Sequence, residues 1–558
     1  MELSRKRVAI VGAGVAGICS CRHLAGRPEF FDVVVYEQSA GIGGVWVYDE
    51  ATDQHTQVKP PPTLSGSEQA EDHSNHSSGS NGAGPPDQVC SNGAGPVEIS
   101  SNGAGPDKVS SNGTGPDKVS SNGAGPDKVS SNGAGSHKVS SNGAGPVEIN
   151  RRRTQYSTCS TEDTGSLIHS SMYANVKTNL PKEVMAFPDF PFPSDLPSYL
   201  GHKEILQYLH NYARRHDVMA HVTLNTHVVT VQPVLGDTAP MNHTGVQGND
   251  THKVFAKSGP QWRVTTESRD GCMHEETFDA VLVCNGHFSV PLIPAISGMH
   301  HFNGQIIHSH NYRRPLQFKG KCVMVVGCGP SGSDIALDVA TEAGRVLLSA
   351  SLDKWICCDL PENVEMRDCI DHVNADGHIV YVGGKVEKSS IDAILLCTGY
   401  AFSFPFLHSS CNVAVDGYRR IRPLYKHLVH AIHPSMFFVG IPYTVSEFPL
   451  IDRQAHYITA VLSGQHTLPS TERMLQWQAD DLKVREEEGF TLKYSHFLGP
   501  KQWSYNADLA ASASVPDLPA HRRRILEHVN RKRRSELMTY KTFNYRVTRD
   551  AEQGFDVL

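Results

Sequence analysis

Two glycine-rich strings, far apart in the chain, carry the residue types and spacing best suited to hold a phosphate. The first, VAIVGAGVAG (8–17), sets Gly12, Gly14 and Gly17 directly after a short apolar run. The second, KCVMVVGCGPSGSDIALDVA (321–340), repeats the pattern with Gly327, Gly329 and Gly332. In a GxGxxG turn the first glycine permits the tight bend and the second lets backbone approach a pyrophosphate. The third lets helix and strand pack closely. The helix that follows offers unpaired N–H groups and the positive end of its dipole. Gly12, Ala13, Gly14, Val15, Ala16 and Gly17 line the first such turn. Gly327, Gly329, Ser331, Gly332, Ser333 and Asp334 line the second.

The residues after each turn differ, and the difference bears on the ligand. After the first, DVVVYEQ (32–38) ends at Glu37, an acceptor for ribose hydroxyls. After the second, RVLLSAS (345–351) ends without an acid; Ser349, Ser351 and Lys354 suit a 2′-phosphate, while Asp353 opposes it. Just past Glu37 comes GIGGVW (41–46), with Gly44, Val45 and Trp46. Glycines beside one large aromatic fit backbone lying against a bulky cofactor, a feature of many FAD enzymes that NAD enzymes do not require.

These residues need strands and helices to position them. An amphipathic helix is predicted over 201–216, with Ile205, Leu206, Leu209 and Tyr212 on one face. Strands are predicted over 220–232, 261–267 and 278–284. DAVLVCNG (279–286), after the first turn, has a counterpart in DAILLCTGY (392–400), after the second. The expected fold is α/β, with two nested Rossmann-like dinucleotide-binding domains. One is assembled from 1–51, 165–312 and 406–470, the other from 313–405, and a C-terminal extension covers 471–558. Between the first two segments, 52–164 is polar and contains decamer repeats of the SNGAGPDKVS type over 80–150. Most repeats offer a single Val, too little apolar surface to offset ordering ten residues, so a long disordered loop insertion is expected. Lengthening a surface loop from about 15 to about 110 residues costs under ~2 kcal/mol of closure entropy, which a folded domain tolerates.

Bulk composition excludes other classes. The formal net charge of −7 gives no global field for nucleic acid. One basic cluster, RRRILEHVNRKRR (522–534), reads as a solvated helix face or as an address signal. The 13 cysteines contain no CxxC pair and suit free thiols in a reducing cytoplasm. The 30 histidines include no HExxH, and no metal is expected. No run of about 18 apolar residues suggests a membrane span. The apolar stretch near the N-terminus, which could imitate a secretory signal, is better used as the buried strand before Gly12.

Three further strings carry a family resemblance. They are FNGQIIHSHNY (302–312), SSMYANVKTNLPKEVMAFPDFPF (170–192) and LCTGY (396–400). With the two glycine turns they make the chain similar to the flavin-containing monooxygenases, the N- and S-oxygenating group of animals, fungi and plants. Phe302, Gly304, His308 and Tyr312 fill the fixed positions of that family's FxGxxxHxxx-aromatic stretch. The Tyr312–Arg313 ending argues against the Baeyer–Villiger branch, which has Trp-Pro or Trp-Asp there.

The resemblance implies FAD on residues 12–17, with Glu37 on its ribose and Gly44, Val45, Trp46, Thr178, Asn179 and Leu180 alongside. It implies NADPH on the second turn, and a catalytic Asn179 beside the flavin and the nicotinamide ribose. The implied activity resembles N,N-dimethylaniline monooxygenase. One atom of O₂ would pass through a C4a-hydroperoxyflavin to the nitrogen or sulfur of a small amine or sulfide. His308 is expected to orient its motif rather than move protons. Relatives often carry an arginine just after the strand ending near Ser351, and this chain does not. The alternatives are a Baeyer–Villiger-type or other flavin oxidoreductase, or a degenerate FAD-binding protein whose repeat loop mediates interactions. A disulfide reductase would need a redox cysteine pair, and Cys19 and Cys21 sit inside the phosphate-binding helix instead. The oligomeric state stays open, a homodimer included.

Overall fold

The computed structural model describes residues 5–49, 170–234, 260–354, 356–548 and 554–558, with the backbone alone of 156–158. The expected disordered insertion and its repeats lie outside the described residues, save the short strand Tyr156–Thr158, which pairs antiparallel with Val290–Pro294.

The strand Lys6–Val11 lies inside a seven-stranded sheet, next to its middle strand. It pairs in parallel with Phe31–Tyr36 on one side and Ala280–Val283 on the other. Val222–Thr223 extends the first side, and Met436–Phe438 the second. Val8, Ala9 and Ile10 are fully buried, as a parallel strand covered on both faces requires. The helices Val15–Ala25, His202–Arg215 and Glu447–Leu462 pack on one face. Trp262 and Phe278, from an antiparallel three-stranded sheet, cover the other.

The second sheet has five parallel strands in the order Gln305–His308, Ala393–Leu396, Cys322–Val326, Arg345–Ser349, Val364–Arg367. The helix Pro330–Ala340 covers one face through Ile335, Ala336 and Val339. The hairpin Ile370–Val373 with Ile379–Tyr381 covers the other.

Several local expectations need adjusting. The predicted strand over 220–232 is two strands, Val222–Thr223 and Thr226–Val234. They are separated at Asn225, whose φ of 51° no strand can hold. In the helix His202–Arg215, Ile205, Leu209 and Tyr212 are fully buried, whereas Leu206 is half-buried and packs on Gly43. The basic cluster does not lie on a wholly solvated face. Its helix, Ala520–Ser535, buries Ile525, Leu526 and Val529 against Val184 and Tyr199. Arg522 is buried with them, donating to the carbonyls of Val184 (2.9 Å) and Ala186 (2.6 Å). Burial pushes its guanidinium down to about 10. Ten of the described cysteines are free thiols, but Cys369 is disulfide-bonded, contrary to an all-thiol chain. Among the described residues no helix is long and apolar enough to cross a membrane.

Candidate functional site

Gly12 ends its strand with φ 100° and donates its N–H to the Tyr36 carbonyl at 2.8 Å. A Cβ there would lie 2.7 Å from the Cys284 carbonyl oxygen, and one on Gly17 would collide with the carbonyl of Gly12. Gly14 precedes the helix with no side-chain cap, so the first N–H groups of Val15–Ala25 are left for a ligand. The loop of Gly44, Val45 and Trp46 closes over this turn. Gly43 N–H donates to the Ala13 carbonyl at 3.0 Å, and a Cβ on Gly14 would sit 3.7 Å from Gly44 Cα. The Val45 carbonyl accepts from Ser170 Oγ (2.7 Å), and Arg313 donates to the Ser170 carbonyl (2.5 Å). Residues 12–17, Glu37 and 44–46 are thus brought to one place.

Glu37 is buried, and both its oxygens already work within the chain. Oε2 accepts from Ala13 N–H (2.7 Å), and Oε1 accepts from Ser39 N–H (2.8 Å) and Oγ (2.6 Å). A carboxylate has about four lone-pair sites, so acceptor capacity remains for a ribose hydroxyl. The acid's other task, fixing the turn, was not visible in its spacing.

The second turn has the same build. Gly327 has φ 103° and donates to the Ser349 carbonyl at 2.9 Å. A Cβ there would lie 2.6 Å from the Cys397 carbonyl oxygen, and one on Gly332 would collide with the carbonyl of Gly327. Gly329 precedes an equally uncapped helix, with Ser331 exposed at its start. Both cradles therefore fit a dinucleotide pyrophosphate.

Two expectations about the second turn's polar residues change. Ser349 is fully buried and donates to the Asp368 carbonyl at 2.8 Å, so it offers nothing to a phosphate. Ser333 Oγ donates back into its own helix, to the carbonyls of Gly329 (3.1 Å) and Pro330 (3.2 Å). Lys354 pairs with Asp353 at 3.3 Å. The cations facing this turn come partly from elsewhere. Arg533 reaches Ser333 Oγ at 3.5 Å, and Arg533 and Lys354 both act electrostatically on Cys328, inside the turn.

Thr178, Asn179 and Leu180 follow the loop that begins at Ser170. Thr178 is clamped to Leu200, N–H to carbonyl at 2.8 Å and Oγ1 from N–H at 3.1 Å. Asn179 Oδ1 accepts from Lys541 Nζ at 3.0 Å, and the same ammonium contacts Asp334 Oδ2 at 2.6 Å. The structure thus brings Asn179 and Asp334 together through a residue that spacing did not single out. Composition signalled a basic tail, but no pattern aimed Lys541 at this point.

The residues of 302–312 connect the two regions. A Cβ on Gly304 would lie 2.6 Å from the Asp392 carbonyl oxygen. Tyr312 is fully buried and donates to Asp338 Oδ2 (2.5 Å), on the second turn's helix. His308 is buried, its Nδ1 accepting from His310 N–H at 3.0 Å. Burial pushes its imidazole down to about 3, which keeps it neutral near pH 7. Cys19, His23 and Asp452 have potential ligand atoms within 4.8 Å of one another. His23 and Arg453 already hold that carboxylate at 2.8 and 3.1 Å, with Arg22 at 3.7 Å, so the local charge opposes a cation.

The model of the flavin-binding monooxygenase-like family matches residues 160–363 and 357–520, and that of an NAD(P)-binding Rossmann-like domain matches 10–75. Flavin-containing monooxygenase FMO GS-OX-like 1 of Arabidopsis thaliana is 35% identical over 62% of this chain and 70% of its own. FMO GS-OX-like 4 of the same plant is 34% identical over 68% and 82%. Among solved structures, the S-allyl-L-cysteine S-oxygenase of Allium sativum superposes with a TM-score of 0.68 at 28% identity, covering 97% of this chain and 96% of that one. Tmm of Pelagibacter sp. strain HTCC7211 shares the fold, with a TM-score of 0.64 at 19% identity.

Proposed function

The chain belongs to the flavin-binding monooxygenase-like family, whose cofactors are FAD and NADPH, and from that premise we propose a mechanism and a substrate class. The protein transfers one atom of O₂ to a soft nucleophile, nitrogen or sulfur, of a small molecule, and the other atom leaves as water. The observation that carries this reading is the duplicated cradle. Two uncapped helix N-termini each follow a glycine held under a cysteine carbonyl, so one chain has room for two dinucleotides. Sulfur is favoured over nitrogen because the S-oxygenase relative is 28% identical to this chain across 97% of it.

When bound, FAD supplies the oxygen activation and NADPH its electrons. The chain's own groups bind, orient and exclude water. Residues 12–17 hold the FAD pyrophosphate, Glu37 its ribose, and Gly44, Val45, Trp46, Thr178 and Leu180 flank the ring system. Gly327, Gly329, Ser331, Gly332 and Asp334 hold the nicotinamide dinucleotide. Asn179 donates a hydrogen bond at the reacting centre without acting as an acid, which suits a site where stray proton transfer wastes the oxidant. The FAD-binding part comprises 1–51, 165–312 and 406–470, and lends its strand Gln305–His308 to the NADPH-side sheet of 313–405.

The test is turnover under ¹⁸O₂ with NADPH and a panel of thioethers and tertiary amines. One labelled oxygen per product, with NADPH oxidation that depends on substrate, is expected. Oxidation of NADPH to peroxide alone, with every nucleophile unchanged, would overturn the reading.

A further inference from the structure

Lys541 lies beyond the segment that the family model matches, which ends at residue 520. Its ammonium meets three acceptors: the Lys177 carbonyl (3.1 Å), Asn179 Oδ1 (3.0 Å) and Asp334 Oδ2 (2.6 Å). An ammonium has three donors and no acceptor, so this set uses it fully. It also fixes which end of the Asn179 amide faces the lysine. Only the oxygen can meet a donor, so Nδ2, the donor end, is turned elsewhere.

The lysine is held as firmly as the asparagine, and by the same clamp. Tyr540, its neighbour, is almost fully buried with its ring edge on Tyr199, 5.6 Å between centroids. Asn544 Oδ1 accepts from Ser198 N–H at 2.8 Å, and Tyr545 N–H donates to Ser198 Oγ at 2.8 Å. Leu200, two residues on, holds Thr178. Tail and asparagine therefore hang from one short segment, 198–200. The tail's apolar cluster also draws on both halves of the molecule, Val184 and Tyr199 from one and Leu337 and Leu360 from the other.

We propose that Lys541 is a positioning residue for the oxygenation site. It locks the Asn179 amide with its donor end toward the ligands, and ties that amide to Asp334 on the helix of the second dinucleotide turn. This inference rests on the proposed role of Asn179 at the reacting centre.

A double-mutant cycle on the full-length, FAD-loaded protein tests it, using Lys541→Met, Asn179→Ala and the pair. Three quantities are read: flavin per protein, the NADP⁺ dissociation constant from perturbation of the flavin spectrum, and the fraction of NADPH electrons released as hydrogen peroxide. Lys541→Met is expected to keep its flavin, weaken NADP⁺ about tenfold and raise the peroxide fraction several-fold. The pair is expected to be no worse than Asn179→Ala in peroxide release, because both changes act through one amide. Lys541→Arg, which keeps charge and donors, is expected to fall between wild type and Met.

An Asn179→Ala variant with wild-type peroxide release would remove the role of the asparagine, and the lysine's with it. A strong Asn179→Ala effect beside a silent Lys541→Met, or effects that multiply in the pair, would overturn the lysine's role alone. Should Lys541→Met lose flavin, Lys541→Gln carries the same cycle with the same outcomes.

Discussion

The two glycine turns share one geometry and diverge immediately after it. Gly12 and Gly327 have φ of 100° and 103°, and each lies under a cysteine carbonyl at the end of a neighbouring strand. Each is held by a hydrogen bond to the strand that follows its helix. Past that point one turn receives a buried carboxylate, Glu37, bonded to Ala13. The other receives a buried serine that points away, and cations delivered from a tail some two hundred residues downstream. The shared part is set by sterics, which admit few solutions for a backbone that must touch phosphate. The divergent part differs in what it could offer a ligand, an acceptor suited to hydroxyls against cations suited to phosphate.

The strongest way to break the comparison is to fill each cradle in turn. Gly17→Ala and Gly332→Ala each force a Cβ into a backbone carbonyl, a collision no side-chain movement relieves. Each should cost on the order of 3 kcal/mol or more locally. If the turns are independent, Gly17→Ala abolishes flavin content, while Gly332→Ala keeps the flavin and loses NADP⁺ binding. Flavin absorbance and NADP⁺ titration separate the two, and loss of both ligands from both variants would break the symmetry claimed here.

Acid should distinguish the two halves more gently. Around the first sheet, burial pushes His287, His430 and His456 down to about 4 and His427 to about 3. A histidine whose folded value is depressed stays neutral when folded but takes up a proton when unfolded. Stability from that source is complete above about 6.5 and falls as pH drops toward the folded value. Beside the second sheet, hydrogen bonds from Arg345 and Arg367 hold Glu365 down at about 2. Burial pushes Glu387 up, but Arg367 and Tyr381 outweigh it and set it at about 2. These carboxylates lose their contribution only below about 4.5. His308 is the exception there, and it titrates with the first group. Hydrogen exchange between pH 7.5 and 5.5, corrected for its intrinsic pH dependence, should therefore accelerate more in Ala280–Val283 and Met436–Phe438 than in Cys322–Val326. Equal acceleration would deny the difference.

The smallest effect sharpens the comparison at one atom. Ser349→Ala removes a buried hydroxyl and leaves the Asp368 carbonyl without that donor, at a cost of about 1 kcal/mol in a denaturant titration. The ratio of NADPH to NADH turnover should be unchanged from that of the unaltered protein. A changed ratio would return Ser349 to the phosphate site.

Much of this molecule was legible in its sequence. The glycine spacing located both turns, and the paired strings DAVLVCNG and DAILLCTGY located the strands whose carbonyls cap them. The helix over 201–216 came within a residue at each end. Such features are local: periodicity and backbone sterics act over a few residues, so a short window contains their cause. Other features were misread or missed for the opposite reason. Ser349 looked like a phosphate ligand because its alternation cannot say which face of the strand is buried. Arg522 looked solvated because a helical wheel does not show what packs against it. The double duty of Glu37 depends on where Ala13 comes to rest.

The sequence by itself determined the two turns, their fit to a phosphate-bearing ligand and the family to which the chain belongs. Only the tertiary structure decided which charges reach those turns. Lys541 meets Asn179 and Asp334 across 362 and 207 residues of chain. No local pattern encodes such a meeting, because an ion pair needs only proximity in space. Here that proximity is created by the buried aromatic and aliphatic side chains that dock the tail on both halves.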